Sequence, residues 1–308
     1  MGDTSLINVG KLAEPATVLI EKISGAIGIY YEPTRIKKKA IANAEASKTK
    51  VLMDLEIEDI QKRALSRLVT EEIKKQENIE NITEKSFDSL NENAKPENIE
   101  DDWIGNFFDK CKLISDIEMQ NLWAKILAGE ANNPGAYSKR TIEFISTMDK
   151  TDAMMFDDFS KTCWFYSGFQ PIITNYDENE VYKKLSINFN SLTHLNDIGL
   201  INFEPLSGFK KIMQVDTISI GYYGRVLNLD FTNKSPKEIQ IGQVLLTKIG
   251  SDLLKASHPN ILYKFSSSHE YIDKYYHEIL NYFNKQGVIL SEPLENKENF
   301  QKFVLEKN

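Results

Sequence analysis

The residues best placed to do chemistry lie in one polar run, Glu130 to Thr141. Lys139 and Arg140 follow Ser138 at the expected start of a helix, where the dipole disfavours cations. Their charge needs an offset. Arg140 could pair with Glu130 across the Asn133-Pro134-Gly135 turn, as a structural lock. A bound phosphate or a partner's carboxylate could serve instead. Other chemistry finds little support. No two of His194, His258, His269 and His277 stand four apart, as a zinc helix of the H-E-x-x-H kind requires. Gly221-Tyr-Tyr-Gly224 reads as a ribbon turn, not a phosphate loop. No serine sits in a G-x-S-x-G elbow. The expectation is a protein with no catalytic, metal or cofactor site.

The totals narrow the class. The chain has 308 residues, net charge -8 and a pI near 5.3. An acidic balance argues against broad nucleic-acid binding, which needs clustered positive charge. Two cysteines, Cys111 and Cys163, exclude a disulfide framework and fit a reducing cytoplasm. No secretory signal and no apolar run of spanning length is read.

Four segments position these residues. Residues 1–33 hold an amphipathic helix with Leu12, Ala16, Leu19, Ile20, Ile23, Ile27 and Tyr30 on one face, ended by Pro33. Residues 34–95 hold a long coiled-coil-like helix and its tail. No Gly or Pro interrupts Thr34 to Glu77, and at ~1.5 Å per residue it would run roughly 65 Å. Its start is basic (Arg35, Lys37, Lys38, Lys39), and its middle carries Ile60, Leu65, Leu68 and Val69. A strict heptad puts Lys48 and Lys62 into core positions. Asn78 to Asn93 reads as a further short helix.

Residues 96–165 read as a helical bundle. Trp103, Phe107 and Phe108 face inward, Ser115 to Glu118 forms a capping box, and a helix stops at Gly129. Ser138 and Thr151 cap two more helices. Residues 166–308 form an α+β domain with strands expected at Pro171–Tyr176, Met213–Ile220, Arg225–Phe231 and Ile239–Leu246. A short helix ends at Gly199, and an amphipathic one spans His269 to Gln286.

Two resemblances rest on these residues. Leu127-Ala-Gly-Glu-Ala-Asn-Asn-Pro-Gly135, then Ser138-Lys-Arg-Thr141, resembles an uncharacterised bacterial family. That family is also similar at Glu32-Pro33, Arg35, Trp103, Phe107 and Phe108. The likeness covers roughly Leu12 to Phe159. It implies a bacterial intracellular protein with no established activity and relatives among phage-defence genes. The helix closed by Gly199, the ribbon from Lys211 to Phe231 and Leu246-Thr-Lys-Ile-Gly250 resemble a winged-helix domain.

The reading is a mainly α protein with a C-terminal α+β, winged-helix-like domain. It is non-enzymatic, oligomerises through its long helix and senses a partner with its C-terminal domain. Leu19, Ile23 and Ile27, with Lys37, Lys38 and Lys39, serve packing or self-association in one reading. In another they meet a membrane interface. Expected partners are a second copy, a phage or host protein and the inner membrane surface. The expected place is the cytoplasm, peripheral to that membrane in the second reading. Alternatives are a cytoplasmic scaffold and a nucleic-acid-binding regulator using Thr193 and Asn196.

Overall fold

The computed structural model describes residues 14–28, 43, 47–48, 58–166, 168–177, 179–257 and 270–291. The chain divides into two compact units, Met1–Thr147 and Met148–Asn308. The helix Lys150–Ser160, grouped with the bundle by sequence, falls in the second unit.

The first unit is helical. Helix α1 (Glu14–Ile27) buries Ala16, Leu19, Ile20 and Ile23. They pack on α3 (Asp101–Cys111) and on the 3-10 turn Pro96–Asn98. Lys22 pairs with Asp101 at 2.7 Å. Leu19 and Ile23 are therefore core residues of this unit, and Ile27 is half-buried. Lys37, Lys38 and Lys39 lie outside the described residues.

The long helix is α2 (Asp59–Ser86), and it does not run on unbroken from Thr34. Glu58 is extended (φ -63°, ψ 152°) and starts the helix. Its side chain accepts from the backbone of Gln61, and its own N–H donates to the Gln61 side chain. Lys48 Nζ donates to Thr70 Oγ1 at 2.5 Å. A straight helix would hold those residues about 33 Å apart. The chain has come back alongside α2 by Lys48, so the 65 Å rod is corrected to a 28-residue helix. Nor is Asn78 to Asn93 a separate helix: α2 continues to Ser86 and tightens into a 3-10 turn, Phe87–Ser89.

The C-terminal half of α2 packs on α4 (Ile117–Asn132). A polar network ties the two. Asn78 Nδ2 donates to the Lys112 carbonyl, and Gln120 Nε2 donates to Asn78 Oδ1 and to the Ile114 carbonyl. Asp116, not Ser115, caps α4, accepting from the N–H groups of Glu118 and Met119. Ser115 lies against Asn78 instead. Helix α5 (Lys139–Ser146) packs on α3. The aromatic core of the unit is Trp103, Phe107, Phe108 and Trp123.

The second unit opens with α6 (Lys150–Ser160), capped by Asp149 rather than Thr151. Among the described residues its main sheet has five antiparallel strands ordered β2-β1-β5-β6-β9. They are β1 (Cys163–Phe165), β2 (Phe169–Pro171), β5 (Thr217–Tyr222), β6 (Arg225–Asp230) and β9 (Ile289–Ser291). Two further pairs are β3 (Ile201–Phe203) with β8 (Val244–Leu246), and β4 (Phe209–Ile212) with β7 (Glu238–Gly242). Lys211 to Phe231 is thus not one ribbon. Strand β4 joins β7, and only β5 and β6 form the hairpin.

Among the described residues four helices complete the unit: α7 (Glu180–Lys184), α8 (Phe189–Asp197), α9 (Lys248–Ser257) and α10 (Glu270–Lys285). Gly199, at φ +81°, closes α8 as the sequence suggests: Leu200 N–H donates to the Leu195 carbonyl. Gly250 sits where a Cβ would meet the Leu200 carbonyl oxygen at 2.1 Å, so α9 can enter only beside a residue without one. Helix α10 buries Ile272, Tyr275, Tyr276, Ile279 and Phe283. Among the described residues no helix is long and apolar enough to cross a membrane.

Candidate functional site

The polar run of the first unit builds a cleft of about 420 Å³, lined among others by Glu100, Trp103, Glu130, Tyr137 and Lys139. Helix α4 does not stop at Gly129 but continues to Asn132. Gly129 lies inside it because the Tyr137 ring rests there: a Cβ would meet Tyr137 Oη at 2.7 Å. Asn132 then pins the chain beyond α2, accepting from Asn91 N–H at 2.8 Å and donating to the Ser89 carbonyl at 2.9 Å.

Pro134 and Gly135 turn the chain as their types demand. Gly135 has φ +88°, and Ala136 N–H closes onto the Asn133 carbonyl at 3.0 Å, the pattern of a type II turn. Glu130 fills the inside of this turn. It is 2% exposed; Oε1 accepts from Gly135 N–H at 2.6 Å and Oε2 from Tyr137 N–H at 2.9 Å. The Tyr137 carbonyl accepts from Trp103 Nε1 at 2.7 Å. Ser138 caps α5 by accepting from Thr141 N–H at 3.2 Å.

Glu130 is therefore a lock, but with the backbone and not with Arg140. Arg140 is exposed, and among the described residues no ion pair joins the two. Lys139 stands 3.7 Å from Asp102, an exposed pair worth ~0–1 kcal/mol. Burial pushes the Glu130 carboxyl above its usual value. N–H donors of Gly135, Tyr137 and Ala136 pull the other way, and the Glu100 charge adds to the rise. A carboxylate whose lone pairs already hold backbone N–H groups is poorly placed to take a substrate's proton. What the cleft offers is binding surface: aromatic walls and a mixed-charge rim.

The second unit places the other candidates. On α8, Thr193 is half-buried and Asn196 Oδ1 accepts from Phe203 N–H at 3.0 Å, so Asn196 already serves the fold. His194 Nε2 meets Asp152 Oδ1 at 2.6 Å, an exposed contact that sequence did not anticipate. Among the described residues no three His, Cys, Asp or Glu could hold a metal ion.

A family model described as a protein of unknown function (DUF2806) matches residues 62–274. The chain belongs to that family. The match begins at Lys62 and not near Leu12, and it runs past Phe159 through most of the second unit. It thus takes in the whole Glu130 cleft and leaves α1 outside. No curated protein and no solved structure matches the chain.

Proposed function

We propose that this protein acts by docking: a non-enzymatic scaffold of the bacterial defence type that pairs with a second copy through α2. One observation carries the reading. Ile60 is 63% exposed and Leu68 52% exposed, with exposed Ala64 between them, at i, i+4, i+8 spacing. Thr70, which holds Lys48, stands about 160° around the helix from Leu68 and about 80° from Ile60, so the Leu68 end of the stripe faces away from that side. The flanking charges favour a second copy. Arg63 and Arg67 precede Leu68, and Glu71 and Glu72 follow it. Within the helix Arg67 pairs with Glu71 at 2.9 Å and Glu72 with Lys75 at 2.5 Å, exposed pairs worth ~0–1 kcal/mol that can be exchanged at little cost. Two copies related by a two-fold axis, antiparallel near Leu68, set Arg of one against Glu of the other.

The test is molar mass in solution. The wild type is expected at twice the 35.3 kDa chain mass, and Leu68→Glu at the chain mass with its melting temperature unchanged. A wild type that stays monomeric at tens of micromolar sinks the reading.

The other parts of the proposal have their own supports. The helix closed by Gly199, the β3–β8 pair and α9 follow one another as in a winged-helix-like platform. Its exposed helix α8 bears no Lys or Arg, which favours a protein partner over nucleic acid. Membrane action through α1 requires that helix to leave Leu19 and Ile23 uncovered. Flotation with anionic vesicles, set beside a Lys37, Lys38 and Lys39→Glu variant, checks it; no flotation leaves the cytoplasmic scaffold. The defence context rests on resemblance, and a plaque count with and without the gene tests it.

A further inference from the structure

The second unit contains an apolar cavity that the docking reading leaves without a role. It measures about 80 Å³ and lies between the β4–β7 pair and the main sheet. Ile218, Ile220 and Leu229 of the main sheet form one wall, Met213, Ile239 and Ile241 the other, with Phe283 of α10 behind.

Lys211 breaks the pattern. It pairs with Ile239 in register and lines the cavity with Met213, and like its neighbours Lys210 and Ile212 it is exposed to solvent. Its register puts it on the same face of the β4–β7 pair as Ile239, where an apolar side chain would be expected. Lys211 instead lays its stem along the cavity and brings its ammonium to 4.5 Å above the Tyr166 ring. The lysines nearby are spent: Lys210 on Glu238 and Lys237 on Asp216. Among the described residues Lys211 meets no carboxylate.

An apolar pocket under an ammonium with no counter-charge suits a molecule that is greasy at one end and anionic at the other. Water's share of liquid volume is ~30 Å³, so the cavity of about 80 Å³ takes a group of about three carbons. We propose that it binds a short branched carboxylate, tail inward and carboxylate on Lys211 Nζ. This site does not depend on α2 self-association, so either can fail alone.

The experiment titrates the full chain with 3-methylbutanoate, 3-methylbutan-1-ol and acetate, followed by NMR shifts. Saturable binding of 3-methylbutanoate is expected. Acetate, lacking three buried carbons, should bind about fiftyfold more weakly. Lys211→Gln should cost about tenfold and erase the preference for the acid over the alcohol, with melting temperature unchanged. Ile218→Phe should fill the cavity and abolish binding. Absence of saturation, equal binding of alcohol and acid by the wild type, or full affinity in Lys211→Gln overturns the site. So does binding retained in a folded Ile218→Phe; should that variant not fold, Lys211→Gln decides.

Discussion

Replacing Glu130 by Ala asks whether the polar run is a lock. Tyr137 N–H is buried and would lose its acceptor, and a stranded buried donor costs ~1–3 kcal/mol. Gly135 is exposed, so water takes over its N–H and the loss there is about 0.5–1 kcal/mol. Removing the side chain also relieves the burial of a charge, which offsets part of the total. The balance is a destabilisation of roughly 2–3 kcal/mol, or about 4–12 °C for a unit of this size. Arg140→Ala removes an exposed side chain and should move stability by less than ~0.5 kcal/mol. Scanning calorimetry of both variants beside wild type reads the difference. A Glu130→Ala unit as stable as wild type, or an Arg140→Ala loss of equal size, refutes the backbone lock.

Glu130 also sets a pH dependence. Burial raises its folded-state pKa above the ordinary 4.5, so the folded chain holds the proton more tightly than the unfolded one. Stability from this group is complete below about pH 4.5 and is lost as pH rises through the raised value. Urea unfolding should therefore show wild type gaining on Glu130→Gln as pH falls from 7 to 4.5; a constant gap contradicts this. Gly250→Ala should destabilise by ~2 kcal/mol or more, since its Cβ meets backbone and the ~1 kcal/mol propensity gain cannot offset that. Gly105→Ala, inside α3 with nothing within 4 Å, should stabilise by up to ~1 kcal/mol; paired melts check both. Burial pushes both the Cys111 and Cys163 thiols upward. Neither should react with iodoacetamide at pH 8 until denaturant is added, as mass spectrometry would read.

Local grammar was legible in the sequence wherever the signal is carried by the residue itself. Pro134-Gly135 turns because of its own dihedrals, Ser138 caps because its hydroxyl is short, and Gly199 ends α8 because it tolerates positive φ. The Glu130 lock was half legible. Charge pairing pointed to Arg140, because a sequence displays side chains and not the backbone N–H groups that hold the carboxylate. The break at Glu58 was hidden for a similar reason. Glu58 and Gln61 are good helix formers, and their reciprocal cap exists only once the chain turns. The warning lay in the heptad, where Lys48 and Lys62 refused core positions: a straight rod cannot hide them, whereas a fold-back gives Lys48 the Thr70 hydroxyl. The pairing of β4 with β7 joins segments too distant for any local pattern to announce.

The docked position of α1 changes what a membrane reading must explain. Leu19, Ile20 and Ile23 are covered, each worth ~1.5–3 kcal/mol when taken out of water. A bilayer interface removes the same α1 surface from water but uncovers the facing surface of α3 and of the Pro96–Asn98 turn, so apolar transfer favours the docked position. An electrostatic gain at the membrane would have to exceed that loss. Lys22 gives up Asp101 on leaving, a contact worth ~0–1 kcal/mol. Lys37, Lys38 and Lys39 gain ~1 kcal/mol each near an anionic surface. The electrostatic net is about 2–3 kcal/mol, no more than re-exposing one or two large apolar side chains beneath α1 would cost, so charge alone does not undock the helix. The apolar face that looked like an anchor is taken up by the core of the first unit, and any membrane role must supply the free energy of uncovering what it packs on.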